Sequence, residues 1–138
     1  MKTRITPDML PAFQGVIPPA LATSSAAGMP NITYISHVQY IDEEHLALSR
    51  QFFNKTWKNI DENPVFTVAV TCPETFSVWK INLKYQEERT DGQVFDEMDM
   101  MIQAIASIQG LEGIFKLKSA VICKVLSIQT LVSDGKIV

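Results

Sequence analysis

The chain has 138 residues, 46% hydrophobic and 20% charged, a balance that suits one globular domain with its own core and excludes a mainly disordered chain. Its formal net charge of −3 excludes the broad basic surface that general nucleic-acid or anionic-membrane binding needs, so any anion site has to be local. The two cysteines, Cys72 and Cys123, stand far apart and form no CxxC pair, which points to buried reduced thiols rather than a zinc site or a disulfide framework.

In chain order, Thr6-Pro7-Asp8 reads as the start of a helix with Pro at its first position, ending near Gln14 before Gly15. Pro18-Pro19 resets the backbone. Ala20–Ser24 reads as a short strand, residues 25–30 as a turn in which Gly28 can take positive φ, and Asn31–Tyr40 as one strand carrying a bulge. These two strands form a hairpin. A turn at residues 41–45 leads to a strand at Leu46–Ser49. Val65–Thr71 is a continuous run of the kind expected of a strand covered on both faces. Phe76–Arg89 alternates, with Trp79, Ile81, Leu83 and Tyr85 on its apolar side. From Gln93 to Ser107 the spacing of Phe95, Met98, Ile102 and Ile105 predicts a helix laid on the sheet, and Leu117–Ile128 closes the chain as a strand. Strands at this spacing favour one antiparallel barrel, closed or nearly closed, with helices at its edge. The N-terminus lacks the apolar run of a signal peptide and the chain lacks a membrane span, so a single cytoplasmic domain covering residues 1–138, without membrane or nucleic-acid partners, is expected.

The stretch Ser49-Arg50-Gln51-Phe52-Phe53-Asn54-Lys55-Thr56-Trp57 runs from a strand end into a helix that opens at Asn54 and closes before Pro64. Lys55 and Thr56 then fall in the first turn, where backbone N–H groups lack partners and the helix dipole is positive. A cation there opposes the dipole unless an anion binds, and a phosphate would use the N–H groups, the ammonium and the hydroxyl together. The alternative is an ordinary cap with Lys55, Lys58 and Glu62 on a solvated face. Arg50 suits a phosphate by its planar fork, or else points to the other side of its strand. His37 reads as a packed or surface histidine, and Trp57 and Trp79 as core or subunit-contact residues.

With these elements placed, the sequence resembles the flavin-binding split-barrel superfamily that includes the pyridoxamine 5′-phosphate oxidases and the small bacterial FMN-binding proteins. The resemblance rests on Ala22-Thr23, the Gly28-Met29-Pro30 turn, Asn31 through Ser36, Asp42, and Ser49 through Asn63-Pro64 with Asn54-Lys55-Thr56. It implies a mainly β antiparallel split barrel and a homodimer with FMN in grooves between the subunits. Carried onto this chain, Lys55 and Thr56 match the phosphate-binding pair, with Ser49, Arg50, Gln51 and Asn54 close by in sequence. Thr33, Tyr34 and Ser36 match the strand that lines the isoalloxazine and ribityl groups. Relatives of this barrel also hold a deazaflavin or haem. No arginine follows Arg89, so the substrate-holding C-terminal arginine of the vitamin B6 oxidases has no counterpart and that activity is not expected. The implied function is a flavin-dependent oxidoreductase. The alternatives are a non-catalytic FMN-binding electron carrier or sensor, and a cofactor-free dimeric interaction module.

Overall fold

In the computed structural model, which describes residues 2–51, 54–111, 113 and 116–138 apart from the side chain of Asn54, the β-branched runs become one antiparallel sheet. Its strands are β1 (Ala20–Ser24), β2 (Pro30–Tyr34), β3 (Val38–Asp42), β4 (His45–Arg50), β5 (Val65–Thr71), β6 (Val78–Arg89), β7 (Ser119–Ser133) and β8 (Lys136–Ile137). They are ordered β2-β1-β5-β6-β7-β4-β3, with β8 paired to β7. Two helices, α1 (Asn54–Glu62) and α2 (Gln93–Ile108), interrupt the strands, and a 3-10 helix at Pro7–Phe13 precedes them. Pro11 lies inside that first helix, and its missing N–H keeps the turn from continuing as the regular helix the sequence suggests.

The expected single strand over Asn31–Tyr40 is corrected. Residues 30–34 and 38–42 are separate strands at the two opposite ends of the sheet, and residues 35–37 are the tether between them. Among the described residues β2 pairs only with β1 and β3 only with β4, so the sheet curls without closing there. The tether is held at both ends. Ile35 N–H donates to the Pro19 carbonyl at 3.0 Å, and Ser49 N–H to the His37 carbonyl at 3.1 Å. The Ser49 hydroxyl oxygen in turn accepts the His37 N–H at 3.0 Å, which makes this buried serine a clamp on the tether.

The main core fills the curl with alternate residues of each strand, among them Leu21, Leu46, Leu48, Val68, Ile81, Leu83, Val121 and Cys123, with Met9 and Phe13 of the 3-10 helix at one end. A smaller core lies on the outer face of β4 and β7, where Met98 and Ile102 of α2 cover Ala47, Ala120 and Ile122. The helical stripe expected for α2 is therefore present in part: Met98 and Ile102 are buried, Phe95 and Ile105 are half-buried, and Ile108 is 87% exposed. In β5 only Phe66, Val68 and Val70 are buried, while Val65 is 45% exposed. The expectation of cover on both faces is corrected, as befits an antiparallel sheet with one face on the core. Cys72 and Cys123 are both free and buried, and burial pushes the Cys123 thiol up.

Helix α1 docks by two different faces. Trp57 and Ile60 pack on the main core, with Trp57 edge-on to Tyr85 at a centroid distance of 5.8 Å. Thr56, Asn59 and Glu62, each three residues after the last, form a polar rail along the β1–β2 hairpin. Asn31 Nδ2 donates to Thr56 Oγ1 at 3.2 Å, Asn59 Nδ2 to Thr23 Oγ1 at 3.1 Å, and Ala26 N–H to Glu62 Oε1 at 3.4 Å. Asn59 and Thr23 are both buried, so each leaves the other without its partner if removed. Replacing Asn59→Ala is expected to cost about 1–3 kcal/mol in urea unfolding, whereas Lys58→Ala, on the exposed side of the same helix, changes stability by about 0.5 kcal/mol or less.

His37, in the tether, is 2% exposed, and burial lowers its pKa from the ordinary 6.5 to about 4. As pH falls the unfolded chain takes this proton before the folded one, so the contribution of the neutral imidazole is complete above pH 6.5 and is lost down to pH 4. The expected loss over that window is about 3 kcal/mol. Urea unfolding at pH 7 and pH 4 checks it: the drop attributable to this group should be absent in His37→Gln, and an identical drop in both proteins would assign it to the carboxylates.

Candidate functional site

Where the sheet fails to close, a cleft of about 400 Å³ opens over the tether. Its floor is Thr33, Tyr34, Ile35 and Ser36, one wall is α2 through Ile102, Ile105 and Gln109, and the rim carries Gly15 and Gln51. Each part has a local cause. Gly15 holds φ of +78°, a conformation that favours glycine, and it lets the segment after the 3-10 helix pass close to α2, where a Cβ would press on the terminal methyl of Ile105 at 2.7 Å. Gln51 continues the alternation of β4 past Ser49, on the side facing the tether. Its Oε1 accepts the Ser36 hydroxyl, which fixes the amide plane. Gln51 is 4% exposed, and its Nε2 has no hydrogen-bond partner among the described residues. A buried N–H donor without a partner is costly, and here it sits in the lining of an open cleft.

The residues singled out from the sequence separate into three places. Thr33, Tyr34, Ser36 and Gln51 share the cleft. Lys55 and Thr56 lie in the first turn of α1, Lys55 exposed and Thr56 buried against Asn31 of β2, so that the helix start is hydrogen-bonded to the strand that floors the cleft. Asn54 opens α1, while its side chain, like Phe52 and Phe53, lies outside the described residues. The third group is not free for a ligand. Ser49 is spent on the tether. Arg50 points to the opposite side of β4, where Nη1 donates to Glu88 Oε1 at 2.7 Å and the guanidinium carbon lies 4.0 Å from the centre of the Trp57 ring. The Ser119 hydroxyl donates to the same carboxylate oxygen. This half-buried group of Arg50, Glu88, Ser119 and Trp57 ties β4, β6, β7 and α1 together at one end of the core.

Sequence reasoning missed Gly15, Val16, Ile102, Ile105 and Gln109 as cleft residues. A glycine ending a helix and two isoleucines at helical spacing carry no local sign of a binding surface. The available signal was quantitative: α2 has more apolar residues than one buried stripe needs, and the surplus lines the cleft.

In chemical terms the cleft is an apolar slot with hydroxyls along its floor, a fixed amide donor at its rim, and beyond it a helix start carrying the exposed Lys55 ammonium. No histidine, cysteine or methionine lines it among the described residues. Such a slot can hold a planar ring that presents acceptor atoms at its edge and an anion at the end of a tail.

Comparison with known proteins bears on the fold and the family. The chain is 28% identical over 141 aligned residues to the uncharacterized protein MJ0282 of Methanocaldococcus jannaschii, an alignment covering 98% of this chain and 88% of that protein. Among solved structures, the fold is similar to an FMN-binding protein from Syntrophomonas wolfei subsp. wolfei, with a TM-score of 0.74 at 17% identity over 90% of this chain and 84% of the other. It is also similar to HutZ, the heme storage protein from Vibrio cholerae, with a TM-score of 0.59 at 16% identity over 92% and 94% of the two chains. The sequence profile of the pyridoxamine 5′-phosphate oxidase family matches residues 6–122, from the 3-10 helix through the whole seam and both helices into β7. A split barrel with that span of matched sequence places this chain in the pyridoxamine 5′-phosphate oxidase family.

Proposed function

We propose that the protein is a homodimeric flavoprotein that binds FMN in the seam cleft and serves flavin-dependent oxidoreduction on a small substrate. The observation that carries this reading is the Gln51 amide, whose Nε2 is buried, oriented by Ser36 and without a partner. An isoalloxazine has carbonyl and ring-nitrogen acceptors on its edge that would complete it. Haem propionates could also accept from this amide, but among the described residues the cleft lining lacks the histidine, cysteine or methionine that most often ligates haem iron, which favours the flavin. The start of α1 supplies free backbone N–H groups and the Lys55 ammonium for the phosphate, whose charge is about −2. Thr56 stabilises that helix start through Asn31 and keeps its own hydroxyl proton for donation. Arg50 takes no direct part, being engaged by Glu88 and Trp57.

Bound FMN would supply the hydride or electron chemistry, and the protein's contribution is to hold the ring, fix its edge and limit water. Support for a homodimer comes from the outer face of β2, β1 and β5, where Ile32 and Tyr34 are 74% and 75% exposed beside the small residues Ala20, Ala22 and Ala69. An apolar patch of this kind on an otherwise charged chain suits a subunit contact. No described helix is long and apolar enough to cross a membrane. A cytoplasmic location belongs to the same proposal.

Titration with FMN and riboflavin separates the parts of this reading. Wild-type protein should bind FMN more tightly than riboflavin. Lys55→Ala should weaken FMN about tenfold and leave riboflavin unchanged, whereas Gln51→Leu should weaken both by about tenfold. Equal affinity of the Lys55 variant for FMN would remove the phosphate from the start of α1. For catalysis, NAD(P)H oxidation by the loaded protein should exceed that of free FMN; a rate no higher than free flavin would favour the electron carrier instead.

A further inference from the structure

Buried polar atoms without partners mark where a missing partner would sit, and among the described residues there are three such side-chain atoms. Gln51 Nε2 belongs to the seam cleft. The other two, His37 Nδ1 and Gln39 Oε1, belong to residues that line a second crevice of about 340 Å³, next along the seam toward β3. This crevice lies between the 3-10 helix, β3 and the first half of α2, and its lining includes Phe13, His37, Gln39, Tyr40, Glu97 and Met101. His37 stands in the wall between the two spaces, since its neighbour Ser36 lines the first and His37 itself lines the second.

The polar groups of this crevice are biased one way. Gln39 Nε2 donates to Glu97 Oε2 at 3.1 Å, which turns Gln39 Oε1 away as an unused acceptor. Gln93 Nε2 donates to Glu97 Oε1 at 3.0 Å, so the carboxylate is held in place while each oxygen keeps a free lone pair. The buried imidazole is neutral at physiological pH, with its Nδ1 turned toward Gly15 at the rim of the first cleft, so it brings no positive charge to the crevice. No lysine or arginine lines the crevice among the described residues, so the Glu97 charge is not neutralised there. Phe13 and Tyr40, 6.4 Å apart between ring centres, supply aromatic surface beside these acceptors.

We propose that this crevice is a second binding site, for a small organic cation rich in N–H donors, an ammonium or amidinium, with Glu97 as its counter-ion and Gln39 Oε1 as hydrogen-bond acceptor beside the Phe13 and Tyr40 rings. The site is separate from the cofactor cleft and does not rest on the flavin reading.

The test is an NMR titration of the ¹⁵N-labelled full chain with benzamidine, with benzoate and benzyltrimethylammonium as controls. Benzoate keeps the ring and reverses the charge; benzyltrimethylammonium keeps ring and charge and removes the N–H donors. Benzamidine should give saturable shifts at the amides of Gln39, Tyr40 and Met101. Both controls should bind more weakly, and Glu97→Gln, on the exposed face of α2, should weaken benzamidine about tenfold or more with the fold intact. Absence of saturable shifts, equal affinity for either control, or unchanged affinity in Glu97→Gln would overturn the proposal. The FMN titration reads the other cleft, so either site can fail without the other.

Discussion

The gap between β2 and β3 is the constraint on which the rest of the molecule depends. A sheet that curls this far normally removes its edges by pairing them. Here the two edge strands are consecutive in sequence, and the residues between them are held by Pro19 on one side and by the Ser49 clamp on the other. The backbone of the seam is thereby satisfied locally, without the hydrogen bonds that closure would have supplied. What remains is an opening lined by side chains of both edges, roofed by the outer residues of α2. Both crevices, and the three unpartnered buried atoms, lie along it.

The same logic explains why α1 is docked by hydrogen bonds as well as by apolar contact. Trp57 and Ile60 alone would hold the helix to the core while leaving its rotation loosely defined. The directional contacts of Thr56, Asn59 and Glu62 fix which way its first turn faces. Arg50, Glu88 and Ser119 perform a similar task at the strand end that feeds the helix, in a half-buried network with an aromatic face beneath it. An arginine that looks like a ligand-binding group in sequence is therefore part of the frame.

The strand runs, the hairpin at Gly28 and the helix over residues 54–62 were legible in the sequence because local pattern and tertiary role agree there. Alternation in β6, with Trp79, Ile81 and Leu83 inward, is the plainest case. The reading of Asn31–Tyr40 as one strand failed because β-propensity is high on both sides of Ser36-His37, and nothing local distinguishes a bulge from a tether joining two sheet edges. In the cleft, Thr33, Tyr34, Ser36 and Gln51 were reachable through family resemblance, since they lie on one strand with the tether that follows it and just past one strand end. Gly15, Ile105 and Gln109 come from distant segments, and their convergence is a property of packing. Glu97 and Gln39 are likewise ordinary surface polar residues until β3 and α2 are placed side by side.

The tether also sets a gauge. From Tyr34 to Val38 the chain makes only a few steps, so the ends of β2 and β3 can stand no more than about 14 Å apart even when fully extended. Six antiparallel pairings lead from β2 round to β3, so the two edges run in the same sense and follow one another across residues 35–37, which span the seam as one continuous rail. Its length is set by backbone geometry, so the opening beside the tether can widen only as far as those few residues stretch, whatever side chains line it.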